Sequence, residues 1–186
     1  MINVASSLKV ISGKYRGLSF DGDNIVGTRP TMDRVKESIF SSIQLKVPNS
    51  ICLDLFAGSG SLGIEAISNG ARSCYFVDNN KIAVNTIESN LKKLRINEEC
   101  IVIKNDYANA LREFKDKNIK FDIIFLDPPY ELNLISHCLN KISEYNLLND
   151  DGIVVCEFEK ENINYKEFNI LKERSYGSKN IMILGK

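Results

Sequence analysis

Two stretches of this 186-residue chain carry residues whose types and spacing could do chemistry. Residues 124–131 read IFLDPPYE, an apolar run that ends at a carboxylate, two prolines and an aromatic ring. Proline holds φ near about −65°, lacks an N–H and pushes the residue before it out of the helical region. Asp127-Pro128-Pro129-Tyr130 is therefore expected to form a rigid extended corner. There Asp127 and the Pro128 carbonyl can both accept from a planar amine, with Tyr130 free to stack on its ring. The second stretch is Phe56-Ala57-Gly58-Ser59-Gly60-Ser61-Leu62-Gly63, a GxGxxG pattern with Asp78 twenty positions after Gly58.

A glycine loop between a strand and a helix lets backbone approach a nucleotide, and an acid after the next strand takes ribose hydroxyls. A dinucleotide fits that pattern, as does a loop with no ligand at all. Asp54, four positions before Gly58, separates the ligand classes. A carboxylate there repels a pyrophosphate and attracts an ammonium or a sulfonium. S-adenosylmethionine carries both cations and a ribose for Asp78, and Asp106 is placed to reach the adenine amino group. Opposite it, the Asp127–Tyr130 corner would grip a nucleobase amine. Such an amine is a poor nucleophile because its lone pair is delocalised into the ring. Acceptors on its hydrogens return density to nitrogen, and Asp127 can take the proton that leaves. No metal is required.

These groups need a scaffold that brings them together. Short apolar runs at 51–55, 73–77, 100–104, 122–126 and 152–157 read as strands, and 61–69, 80–95, 107–116 and 132–145 show helical spacing. Continuous rather than alternating apolar strands imply a parallel sheet covered on both faces. Ligands of such open sheets bind at the carboxyl ends of the strands. Residues 166–173 and 179–184 read as an antiparallel hairpin at the sheet edge. Ahead of the sheet, 8–12 and 16–20 could pair around Gly13-Lys14-Tyr15. Thr31 can cap a helix running to about Gln44, with Val35, Ile39, Phe40 and Ile43 on one face. The expected division is an N-terminal extension, 1–45, packed on a body, 46–186, in one globular unit.

Composition narrows the classes further. Hydrophobic residues make up 44% and charged residues 26%, and no apolar run is long enough for a membrane-spanning helix. MINVASSLKV has neither a basic n-region nor a long apolar h-region, so no signal peptide and a cytoplasmic location are expected. Cys52, Cys74, Cys100, Cys138 and Cys156 are scattered without a CxxC and read as reduced, packed thiols. His137, the one histidine, has no well-spaced partner for a zinc site. Net charge is zero, yet residues 8–36 hold six basic against three acidic side chains. That arm suits an anionic partner, and a solvated face explains it equally well.

The combination VISGKYRGLSF…GTRPTMDRVKESIFSSI, LDLFAGSGSLGIEAISNGA, LDPPY and YGSKNIMIL resembles the RsmD family, from Lys9 to the end of the chain. That family belongs to the class I S-adenosylmethionine-dependent methyltransferases that act on exocyclic amines. The resemblance implies a Rossmann-like α/β fold with a seven-stranded sheet ordered 3-2-1-4-5-7-6, its last strand antiparallel. It also implies transfer of a methyl group to N2 of a guanine in bacterial 16S rRNA, with S-adenosylhomocysteine as the product. The implied partner is 16S rRNA or the small ribosomal subunit, met by a monomer. Phe56, Ala57, Gly58, Ser59, Gly60, Asp78, Asn79, Asp106 and Tyr107 would surround the cofactor together with Asp54, and Asp127, Pro128, Pro129 and Tyr130 the target base. Asp78 stands where Glu is common, and Asn69 where Arg is frequent, which could remove one phosphate contact. Lys14, Arg16, Arg29, Arg34 and Lys179 are expected to meet RNA, with Arg29 and Thr31 also bordering the cofactor pocket.

Three other readings share parts of this pattern. A nicotinamide-dependent oxidoreductase leaves Asp54 and the proline corner unused. A non-catalytic RNA-binding module does not need Asp127 and Tyr130. An adenine-N6 methyltransferase on DNA or RNA shares the proline corner. Guanine presents two donors in a row, N1–H and N2–H₂, which suit the two acceptors of a carboxylate, whereas adenine presents a donor beside an acceptor. Asp rather than Asn at 127 therefore leans toward guanine.

Overall fold

Apolar runs with no polar alternation can be strands only where both faces are covered, and this requirement sets the architecture. The computed structural model describes residues 6–22 and 29–186, without the side chains of residues 29–31. In chain order the sheet strands are β3 (Ile51–Asp54), β4 (Ser73–Asp78), β5 (Glu99–Lys104), β6 (Phe121–Leu126), β7 (Leu148–Phe158), β8 (Asn169–Tyr176) and β9 (Lys179–Gly185). They lie side by side as β5-β4-β3-β6-β7-β9-β8, the 3-2-1-4-5-7-6 arrangement. β9 is antiparallel to both its neighbours, while the pairs from β5 to β7 are parallel.

The helices divide the core in two. On one face α1 (Arg29–Ile43), α2 (Ser61–Ser68) and α3 (Lys81–Lys93) bury Ile39, Ile64 and Ile87 against Cys52, Phe76 and Phe125. On the other, α4 (Tyr107–Asp116) and α5 (Ile135–Glu144) bury Leu111, Phe114, Leu139 and Ile142 against Leu53, Phe121 and Ile124. The apolar positions of α5 recur at three and four, Ile135, Cys138, Leu139 and Ile142, the stripe of a helix with one wet face. α2 differs, because seven of its eight residues are buried and one of them is Glu65. Gly63 lets this helix approach β4, since a Cβ there would stand 2.3 Å from the Phe76 ring. All five cysteines are free. Among the described residues no helix is long and apolar enough to cross a membrane.

The N-terminal segment is fastened through α2. β1 (Ser7–Lys9) and β2 (Ser19–Asp21) pair as a hairpin with shorter strands than expected. The Glu65 carboxylate, fully buried, accepts from Ile11 N, Ser12 N and Ser12 Oγ, and pairs with Lys36 Nζ at 3.2 Å. Lys36 in turn donates to the Lys9 carbonyl at 3.0 Å, so α1 and the hairpin are tied to one side chain. Asn69, expected to mark a lost phosphate contact, instead ends α2 and donates to Ser12 Oγ and the Glu65 carbonyl.

Three expected boundaries differ. α1 begins at Arg29, so Thr31 lies within the helix rather than capping it. The helix expected over 132–145 starts at Ile135, after a 3-10 turn at Tyr130–Leu132 and a left-handed Asn133 (φ 47°) that breaks the path. β7 starts four residues early, at Leu148, where an irregular register against β6 accommodates the turn.

Candidate active site

Parallel strands end together, so the residues that follow them share one rim of the sheet. The rim here surrounds a cavity of about 480 Å³. Asp54, Asp78, Asp106 and Asp127, from the ends of four different strands, all line it. Phe56, Ala57, Gly58, Ser59, Asn79, Tyr107, Pro128, Pro129, Tyr130 and Lys179 line it too. Gly60 was expected among the cofactor contacts but is not part of the wall. It takes a left-handed conformation (φ 82°) as the residue that opens α2.

Each carboxylate has a different environment. Asp54 is 2% exposed and accepts from Gly63 N at 3.0 Å. Burial pushes its pKa up to about 7, partly offset by that N–H and reinforced by Asp78. A buried acid so poorly compensated is a seat for a cation. Asp78 accepts from Gly58 N at 2.9 Å on one oxygen and from Asn80 N at 2.8 Å on the other, which leaves lone pairs on both for hydroxyl donors. Asp106 caps α4, accepting from Asn109 N, Ala108 N and the Asn109 amide. The Asn109 N–H foremost holds its pKa below the usual range. Its capacity for an adenine amine is thus mostly taken by its own helix. Phe56 and Tyr107, rings 5.5 Å apart, add flat apolar wall beside it.

At the far side Asp127 accepts no hydrogen bond from the described residues. Its pKa is raised well above the carboxylate range by burial first, then by Glu157, against the opposing pull of Lys179. Tyr130 lines the cavity with its hydroxyl engaged. Its hydroxyl donates to Glu157 Oε1 at 3.1 Å and accepts from Lys179 Nζ at 2.9 Å, and Nζ lies 5.4 Å from its ring centre. Lys179 and Glu157 form a 2.7 Å ion pair. Burial alone would lower the Lys179 pKa, but Glu157 and Tyr130 hold it above its usual range.

Glu157 was not among the expected site residues. The only signal for it was a carboxylate inside an otherwise apolar run, Gly152 to Phe158, a position that normally demands a partner. Leu8, Met32, Val35 and Lys36 also line the cavity, so β1 and α1 complete its wall.

The basic residues expected to meet RNA do not gather at this rim. Lys179 is in the cavity wall, and Arg34 is exposed on α1 between wall residues Asp33 and Val35. Lys14 and Arg16 belong to the turn that packs on the end of α2, with Lys14 N bonded to the Ser68 carbonyl and Lys14 Nζ 2.7 Å from Glu98. Since α2 runs back from the strand tips, that turn sits at the opposite end of the sheet from Lys179. The side chains of Arg29 and Thr31 lie outside the described residues.

Comparison with known proteins gives concordant matches. The family model described as conserved hypothetical protein 95 matches residues 8–185. YlbH of Bacillus subtilis, provisionally named an rRNA methyltransferase, is 44% identical over 154 residues, covering 83% of this chain and 84% of that one. Ribosomal RNA small subunit methyltransferase D of Haemophilus influenzae is 34% identical over 177 residues, 94% of this chain and 92% of that one. A crystal structure of a provisionally named methylase from Haemophilus influenzae superposes with a TM-score of 0.79 at 32% identity, over 96% of this chain and 98% of that one.

Proposed function

The chain belongs to the family described as conserved hypothetical protein 95, the RsmD-type S-adenosylmethionine-dependent methyltransferases, and on that premise we propose that it methylates the exocyclic N2 of a guanine in small-subunit rRNA. The observation that carries the reading is the single cavity onto which Asp54, Asp78, Asp106 and Asp127 open. Its donor set fits the cofactor. Asp54, buried with one backbone donor, suits a cationic group. Asp78 has lone pairs free for ribose hydroxyls, and Phe56 and Tyr107 offer flat apolar wall for a base. Bound there, S-adenosylmethionine supplies an electrophilic methyl group on a sulfonium centre.

The remaining chemistry belongs to the chain. Asp127 and the Pro128 carbonyl accept the hydrogens of the exocyclic amine, which concentrates electron density on its nitrogen and fixes its direction. Asp127 takes the proton that leaves. Ionised Asp127 is required for that role, and a cation in the cavity favours it by opposing the burial that raises its pKa.

Adenine-N6 methylation is the second reading, and the raised pKa of Asp127 favours it, because a protonated acid offers a donor beside an acceptor. One experiment separates the two. Small-subunit rRNA from cells lacking the gene is incubated with the protein and S-adenosylmethionine, digested, and its nucleosides identified by mass. N2-methylguanosine is the expected product, with turnover down by about 10²–10⁴ in Asp127→Asn. N6-methyladenosine refutes the guanine assignment, and an Asp127→Asn variant at wild-type rate removes the role given to Asp127.

A further inference from the structure

Beside the proline corner lies a second set of polar groups. Phe125 of β6 pairs with Val155 of β7, and Glu157 of β7 pairs with Ile181 of β9. Side chains two residues apart on a strand share a face. By parity Asp127, just past the end of β6, Glu157 and Lys179, two residues from Ile181, form a staggered row on the face that α1 covers, and all three line the cavity. The hydrogen bonds of this row are incompletely used. Lys179 spends two of its three ammonium hydrogens, on Glu157 Oε1 at 2.7 Å and on Tyr130 Oη at 2.9 Å. Tyr130 donates to the same Oε1. The second oxygen of Glu157 accepts from no described residue, and neither oxygen of Asp127 does. Among the described residues no buried side-chain polar atom lacks a partner, so these free oxygens face open cavity.

Read along the rim, the row presents acceptor, acceptor, donor. The guanine edge from N2 through N1–H to O6 presents donor, donor, acceptor. Resting on the guanine reading above, we propose that Glu157 and Lys179 determine base specificity, with Glu157 accepting from N1–H and Lys179 donating to O6 while Asp127 holds N2. N1–H and O6 sit on adjacent ring atoms, and the pair offers them an acceptor, the free second oxygen of Glu157, beside a donor, the third ammonium hydrogen of Lys179. Adenine held by N6 would turn its N1 lone pair toward Glu157, acceptor against acceptor in a desolvated site. Tyr130 braces the pair, which explains why its hydroxyl is bound by both members. Lys179 is thereby a reader of the base rather than a phosphate contact.

The test replaces the target guanine of an rRNA fragment by 2-aminopurine, which keeps the reacting amine and lacks both N1–H and O6. Wild-type kcat/KM falls by about 100-fold or more on this substrate, because the polar groups are left unpaired. In Glu157→Leu/Lys179→Met, where removing both members leaves no buried lone charge, the two substrates differ by less than about 10-fold. Binding in the presence of S-adenosylhomocysteine gives a readout free of turnover. An inosine at the target position binds wild type more tightly than an unsubstituted purine does, and the double variant binds them equally. Equal use of guanine and 2-aminopurine by wild type, or an unchanged ratio in a folded double variant, overturns the assignment. Loss of N2-methylguanosine from the digest altogether would instead refute the guanine reading on which it rests.

Discussion

With the cationic group of the cofactor placed beside Asp54, as proposed above, cofactor binding should release a proton. Burial holds the Asp54 pKa at about 7, against an ordinary value of 3.8. At pH 6 roughly nine-tenths of the molecules therefore carry a proton on Asp54. A cationic ligand beside the carboxylate restores an ordinary pKa, so binding at pH 6 should release close to one proton from this group. The gap from 3.8 to about 7 corresponds to at most roughly 4 kcal/mol. Affinity for S-adenosylmethionine should rise by up to about 10-fold per pH unit below pH 7 and flatten above it. Stability follows the same linkage. A folded pKa above the unfolded one means that the empty protein loses stability as pH climbs from about 4 through 7, a loss the bound ligand offsets. Calorimetric titration at pH 6 in buffers of different ionisation enthalpy counts the protons. Asp54→Asn keeps an acceptor for Gly63 N and should remove the Asp54 share of the release, leaving any contribution from Asp127. An unchanged proton count in Asp54→Asn would refute the reasoning.

Three further outcomes follow from the packing. Glu65→Ala strips Lys36 of its buried partner and leaves the Ile11 and Ser12 N–H groups without an acceptor. It should cost about 3–5 kcal/mol and lower Tm by roughly 6–20 °C, while Glu65→Met with Lys36→Met recovers in thermal denaturation only the share due to the unpaired lysine, since the Ile11 and Ser12 N–H groups still lack an acceptor. Gly63→Ala places a methyl 2.3 Å from the Phe76 ring and displaces the N–H that Asp54 accepts, so about 1–3 kcal/mol of stability and part of the cofactor affinity should go together. Arg34→Gln should flatten the log affinity against log salt line for rRNA by about 0.7, whereas Lys14→Gln, paired with Glu98 at the other end of the sheet, should leave it unchanged.

The four acids of the cavity were legible because each one's place is a local property. A carboxylate directly after an apolar run lies at a strand tip, and in a parallel sheet all tips share one rim. The partners of the Tyr130 hydroxyl were not legible because they are 27 and 49 positions away. The place of Lys14 was not legible because a count of charges along the chain ignores the fold of the hairpin, which sets that lysine against Glu98 and the end of α2. Glu65 lay in a helix buried on nearly every side, where a carboxylate must find donors, but nothing nearby in sequence shows that they come from residues 11, 12 and 36.

By itself the sequence determined the class of fold, the family it resembles and the residues that follow each parallel strand. These depend on periodicity, turn stereochemistry and short motifs, which act over a few residues. The tertiary structure alone decided that Lys179 meets Glu157, that Tyr130 is pinned between them, and that an N-terminal hairpin is fastened to a buried glutamate. Those contacts depend on the antiparallel return of β9 and on the path of α1 across the sheet. A long-range contact of this kind is fixed by packing of whole elements, and no local pattern encodes which polar groups that packing will strand together.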